Sequence, residues 1–127
     1  MHNVNKEYIA SIDIEYDSGN IIQIGSIMLK KIGKNIFQVC RSFNVYIKKE
    51  GVTKFVQEYT NINQSFLNEY GVSLQEAQES WKEYLKDIDE DDLLFVSHGI
   101  YQDSLILANN GFSIDSYEHW CTCNMSK

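Results

Sequence analysis

Three runs rich in Ile, Val, Tyr and Phe, at Tyr8–Tyr16, Ile21–Leu29 and Ile36–Ile47, follow one another with only turn signals between them. Asp17-Ser18-Gly19-Asn20 and Gly33-Lys34 are far too short for the crossover that parallel neighbours require. The first third of the chain is therefore predicted to be a three-strand antiparallel meander. That prediction constrains everything that follows, because such a meander leaves a sheet face to be covered.

The character of the sequence changes after Thr60. Lys48–Thr60 has no clear period and reads as a loop with a short helix. Asn61 or Asn63 can cap a short helix carrying Phe66, Leu67 and Tyr70, which Gly71 ends. Ser73-Leu74-Gln75-Glu76 is a capping-box pattern, and Leu74, Ala77, Trp81, Tyr84, Leu85 and Ile88 follow at helical spacing. The aromatic stripe of this helix reads as core packing. The acidic run Asp87–Asp92 reads as a solvated loop after it. Leu93-Leu94-Phe95-Val96 is a short, wholly apolar run of the kind found in buried parallel strands. A helix over Asp103–Asn109, stopped by Asn110-Gly111, and a last strand over Glu118–Cys123 complete the series. The reading is one mixed α/β domain: a meander, then parallel strands, with helices packed on the sheet.

Composition agrees with a single globular domain. The chain has 127 residues, 43% apolar and 13% aromatic, which is too apolar for a disordered or mucin-like chain. It contains no apolar run long enough for a membrane span and no secretory start, so the expected location is the cytoplasm, with no membrane partner. Cys40, Cys121 and Cys123 cannot all pair and read as reduced thiols; the His119-Trp120-Cys121-Thr122-Cys123 cluster is a poor match to zinc spacing. The net charge of −7 argues against a protein that coats nucleic acid. The charge is uneven, however. Lys30–Lys54 holds seven bases and one acid, a net +6 that leaves −13 for the remainder. This segment reads either as solvated strand edges carrying lysines against aggregation or as a patch steering a backbone toward an acidic site.

The acidic site is suggested by Ile12-Asp13-Ile14-Glu15. Alternation in a strand puts Asp13 and Glu15 on one face and both isoleucines on the other. Two such carboxylates lie roughly 7 Å apart, within joint reach of one hard cation. Asp103 lies 90 positions further on, just after the apolar run Leu93–Val96 and the turn Ser97-His98-Gly99. If that run lies parallel to the first strand, Asp103 reaches the same end of the sheet, the crevice where open α/β sheets bind ligands. Taken alone, Asp103 reads as an acid complementing a helix dipole. Taken with Asp13 and Glu15, it completes an oxygen-rich set suited to Mg²⁺ or Mn²⁺.

In this order the features resemble the DEDDh (DnaQ-like) 3′–5′ exonucleases of the ribonuclease H-like fold. Asp13-x-Glu15 matches the first family motif, and Ile22-Gln23-Ile24-Gly25-Ser26-Ile27 is similar to the second strand, where Glu often replaces Gln23. Tyr59-Thr60-Asn61-Ile62-Asn63 looks like the family's turn before a short helix. His98 and Asp103 match the second motif, from which Gly99 and Gln102 depart. The resemblance implies phosphodiester hydrolysis from the 3′ end of single-stranded nucleic acid, with two divalent ions held about 4 Å apart in a complete site. It implies Asp13, Glu15 and Asp103 as catalytic metal ligands, with Tyr16 and His98 facing substrate. Tyr16 stands where the family has Thr. The family's final His-x4-Asp is absent: after Asp103 the one histidine is His119, and Asn124 stands where the Asp would be. The expectation is therefore one exonuclease-like domain over 1–127, incomplete at its C-terminal end and impaired in turnover. A catalytically inactive module that binds protein or nucleic acid is the alternative, and a phosphoesterase acting on small nucleotides would share the same residues. Exposed apolar surface on such a fragment would favour self-association.

Overall fold

The structure, a computed structural model, describes residues 5–122. Strands β1 (Tyr8–Asp17), β2 (Asn20–Gly33) and β3 (Ile36–Tyr46) form the expected meander, and β4 (Leu93–Ser97) and β5 (Glu118–Cys121) extend it in the order β3-β2-β1-β4-β5. The β1–β2 and β2–β3 pairs are antiparallel, whereas β4 runs parallel to β1 and β5 parallel to β4. Ser18 and Gly19, at φ 54° and 82°, make the tight first turn, a conformation compatible with the right-handed twist of the flanking strands.

Helices cover both faces of this sheet. Helix α1 spans Lys54–Thr60, α2 Gln64–Tyr70, α3 Leu74–Tyr84 and α4 Ile100–Asn109. The larger core joins Ala10, Ile12 and Ile14 of β1 to Phe95 of β4, Trp81 of α3 and Leu107 of α4. Burial of each Ile or Phe of this kind stabilises the fold by about 1.5–3 kcal/mol. A smaller cluster holds Ile22, Val52, Ile62 and Leu67 beneath α1 and α2. Ile22 reaches it because of a register shift: Glu15 faces Gln23 while Tyr16 faces Ile21, so Ile22 is the extra residue of a bulge. Leu93, Leu94 and Phe95 are fully enclosed, which explains why β4 is apolar from Leu93 to Val96 rather than alternating.

The caps follow the sequence closely. Asn63 Oδ1 accepts from the Phe66 N–H at 2.8 Å and Ser73 Oγ from the Glu76 N–H at 3.1 Å. Asn61 instead ends α1 in the left-handed region. Two expectations need correction. The third helix stops at Tyr84 rather than Ile88, because Arg41 of β3 donates to the carbonyls of Tyr84 and Lys86 at 2.7 and 2.9 Å. Those bonds satisfy carbonyls that another helical turn would have used. Leu74, counted in the core stripe, is 41% exposed at the first position of the helix. The last strand is described to Cys121, and Cys123 lies outside the described residues. Among the described residues no helix is long and apolar enough to cross a membrane.

Candidate functional site

Asp13 and Glu15 leave β1 on the face opposite Ile12 and Ile14, which are 4% and 7% exposed in the core. Parallel pairing then fixes where Asp103 arrives. Tyr8 faces Leu93 and Ser11 faces Val96, so β4 ends level with the middle of β1. Beyond Ser97 the chain turns through His98 and Gly99, at φ 89°, directly into α4. Asp103 sits in the first turn of that helix, where its charge complements the dipole, and its N–H donates to the Gly99 carbonyl at 3.1 Å. Asp103 is thus a helix-start acid that stands at the carboxyl ends of the parallel strands.

Glu15 and Asp103 each feel the charge of a neighbouring carboxylate. Burial, then the charge of Asp13, then that of Asp103, pushes the Glu15 carboxyl above the usual range. Burial also pushes up Asp103, opposed by the Ser97 hydroxyl and reinforced by Asp13. Ser97 Oγ donates to Asp103 Oδ2 at 2.6 Å, a short charge-assisted bond that fixes the carboxylate against the end of β4. Proton uptake or a cation would relieve the crowded charge.

The donors suit a hard cation in kind, being carboxylate oxygens at one rim. Their spacing does not. Among the described residues no three His, Cys, Asp or Glu side chains stand together closely enough to hold a metal ion.

Tyr16 and His98 flank this rim differently. His98 is exposed on the turn between β4 and α4. Tyr16 packs its ring partly against the core and accepts a 3.0 Å hydrogen bond from Gln102 Nε2. Gln23, opposite Glu15 in the sheet, donates to Asn44 Oδ1 at 3.0 Å and to the Tyr46 hydroxyl at 3.3 Å. Sequence reasoning missed Ser97 and the Tyr16–Gln102 pair. Ser97, at the last position of an apolar strand six residues before an acid, was the available signal for the first; no local pattern announces the second.

The basic segment does not form one patch. Lys48, Lys49 and Lys54 lie past the end of β3, where Ile47 pairs with Ile22 near the carboxylate end. Lys30, Lys31 and Lys34 lie at the opposite end of the sheet, where Lys30 faces Tyr8. Only the first group could guide a strand toward the rim.

No protein-family model matches the chain. No curated protein matches it by sequence either. Solved structures do. E. coli exonuclease I, in complex with a 5cy-dA13 oligonucleotide, superposes with a TM-score of 0.72 at 11% identity, over 95% of this chain and 29% of the other. The nuclease domain of 3′hExo, a DEDDh family member bound to rAMP, gives 0.65 at 17%, over 92% and 64%. A 3′-exonuclease in a structure of 3′-end-specific recognition of a histone mRNA stem-loop gives 0.62 at 18%, over 84% and 52%. The chain spans between about three-tenths and two-thirds of the length of these proteins. Over most of its own length it has the ribonuclease H-like fold that these exonucleases share.

Proposed function

We propose that the chain is a relative of the DEDDh 3′–5′ exonucleases. In this reading the rim of Asp13, Glu15 and Asp103 engages the 3′ end of single-stranded nucleic acid, with Mg²⁺ or Mn²⁺ as cofactor. What supports the reading is that Asp13 and Asp103, 90 positions apart in the chain, lie toward one end of a sheet with this fold. The protein's own part is to present carboxylate oxygens: Ser97 orients Asp103, and β1 holds Asp13 and Glu15 on one face. Tyr16 and His98 stand at the flanks, where they would meet the terminal nucleotide.

One observation favours a second reading, a non-catalytic module that binds nucleic acid or protein. The carboxylates are near enough to repel one another but are not gathered into a metal cluster. Titration of Mn²⁺ by calorimetry, together with hydrolysis of a 3′-labelled single-stranded oligonucleotide, separates the two. Release of 3′ nucleotides that requires Mn²⁺ and is lost in Asp13→Ala supports the exonuclease. Oligonucleotide binding without hydrolysis at any Mn²⁺ concentration supports the module and overturns the enzyme.

A further inference from the structure

The end of the sheet remote from the carboxylates is divided by charge. The β2–β3 hairpin runs on past the start of β1: Lys30 faces Tyr8, the Lys31 N–H donates to the Glu7 carbonyl, and the turn lies beyond, with Gly33 facing Ile36. At a strand's rise, Lys31–Gly33 carries this tip about 10 Å further out. It bears Lys30, Lys31 and Lys34, together with Ile32 and Ile36, which are 58% and 56% exposed.

On the other side of β1, β4 begins with Leu93 facing Tyr8, at the same end of the sheet. The chain enters it through Asp87, Asp89, Glu90, Asp91 and Asp92, all exposed. Two strand spacings separate β2 from β4, about 10 Å. Local bonds answer little of this charge: Asp89 caps the Asp91 N–H, and Lys6 donates to the Asp91 carbonyl rather than to a carboxylate. Among the described residues, none of the three tip lysines and none of the five acids takes part in an ion pair.

A basic, partly apolar projection thus stands beside an acidic turn on one edge of the molecule. We propose that this edge is self-complementary and that the chain pairs through it with a second copy of itself. A two-fold axis along the sheet normal, relating two copies end to end, sets each lysine tip on the other's acidic turn. Such a contact is isologous and closes at two copies. It would also cover Ile32 and Ile36, whose exposure at a hairpin tip otherwise has no counterpart. A nucleic-acid strand fits this edge less well. The lysines would attract it, but five carboxylates within about one Debye length would repel it. The inference is independent of the reading of the carboxylate rim.

The test is the mass of the protein by light scattering or sedimentation, from about 50 mM to about 500 mM salt, where screening shortens the Debye length to below about 5 Å. A dimer at low salt that dissociates as salt rises is expected. Two charge-reversed chains are then compared, one carrying Lys30→Glu, Lys31→Glu and Lys34→Glu, the other Glu90→Lys, Asp91→Lys and Asp92→Lys. Each alone should self-associate at least about 100-fold more weakly than the original. Mixed in equal amounts they should form a one-to-one heterodimer, which also shows that both are folded. A wild-type monomer throughout, a dimer indifferent to either reversal, or a mixture that stays monomeric would overturn the proposal. Binding of a single-stranded oligonucleotide that is lost with the lysine reversal, in a protein that never dimerises, would assign the tip to nucleic acid instead.

Discussion

Tyr16 and Gln102, 86 positions apart, are joined by a 3.0 Å hydrogen bond from the glutamine amide to the phenol oxygen. Each directly neighbours a carboxylate of the rim: Tyr16 follows Glu15, and Gln102 precedes Asp103. Both are also positions at which this chain departs from the exonuclease pattern. The structure shows the two departures touching each other, so that one side chain from β1 and one from α4 tie together the elements that carry the acids.

The bond is exposed, which limits its worth. Tyr16→Phe keeps the ring against the core and removes only the acceptor. A loss of about 0.5–1 kcal/mol in urea unfolding is expected. Gln102→Ala should cost a similar amount, and the double variant no more than either alone, since the second change has nothing left to break. Strict additivity of the two losses would mean that the contact has no energetic content.

The carboxylates set the opposite trend. Glu15 and Asp103 hold protons more tightly when folded than when unfolded, because of burial and their neighbours. Stability from this source therefore falls as pH rises from their ordinary values, 4.5 and 3.8, through the raised folded values. At neutral pH in the presence of chelator, Glu15→Gln should raise the melting temperature by about 2–4 °C. Below the ordinary carboxylate range the gain should vanish. Thermal scans of both proteins across that pH range decide the matter; a variant that melts lower than the wild type at neutral pH would show that Glu15 is stabilising in its charged form.

Much of this architecture is written locally. The alternation through Ile12–Glu15 separates core from rim, Ser73 and Asn63 start their helices as their positions imply, and the unbroken apolar run at Leu93 marks a strand covered on both faces. What the sequence does not carry is distance. The end of α3 depends on Arg41, which arrives from another element, and the scattering of the Lys30–Lys54 bases depends on how far a hairpin extends. Asp13, Glu15 and Asp103 are brought to one rim by strand topology, but the gathering of their oxygens is a matter of ångströms that spacing along a chain does not encode. Asp17 is the clearest case, since as part of Asp-Ser-Gly-Asn it reads as an ordinary turn residue.

In the fold Asp17 is 2% exposed and fastens β1 to the start of α1. Its carboxylate accepts from the Thr53 N–H at 2.7 Å and the Thr53 hydroxyl at 3.2 Å, and Lys49 approaches to 3.6 Å. The Thr53 backbone bond, working against burial and helped by Lys49, Ser18 and the Thr53 hydroxyl, holds the carboxyl below its ordinary value. A depressed folded value means that this stability is fully present above 3.8 and is lost as pH falls through the lower folded value. Asp17→Asn keeps the size but weakens the acceptor and leaves Lys49 without its partner. At neutral pH it should cost about 1–3 kcal/mol in urea unfolding. The gap to the wild type should close as the solution is acidified below 3.8, because the wild-type carboxyl then loses its charge as well. A gap that stays constant to the lowest pH would show that shape rather than charge holds this corner.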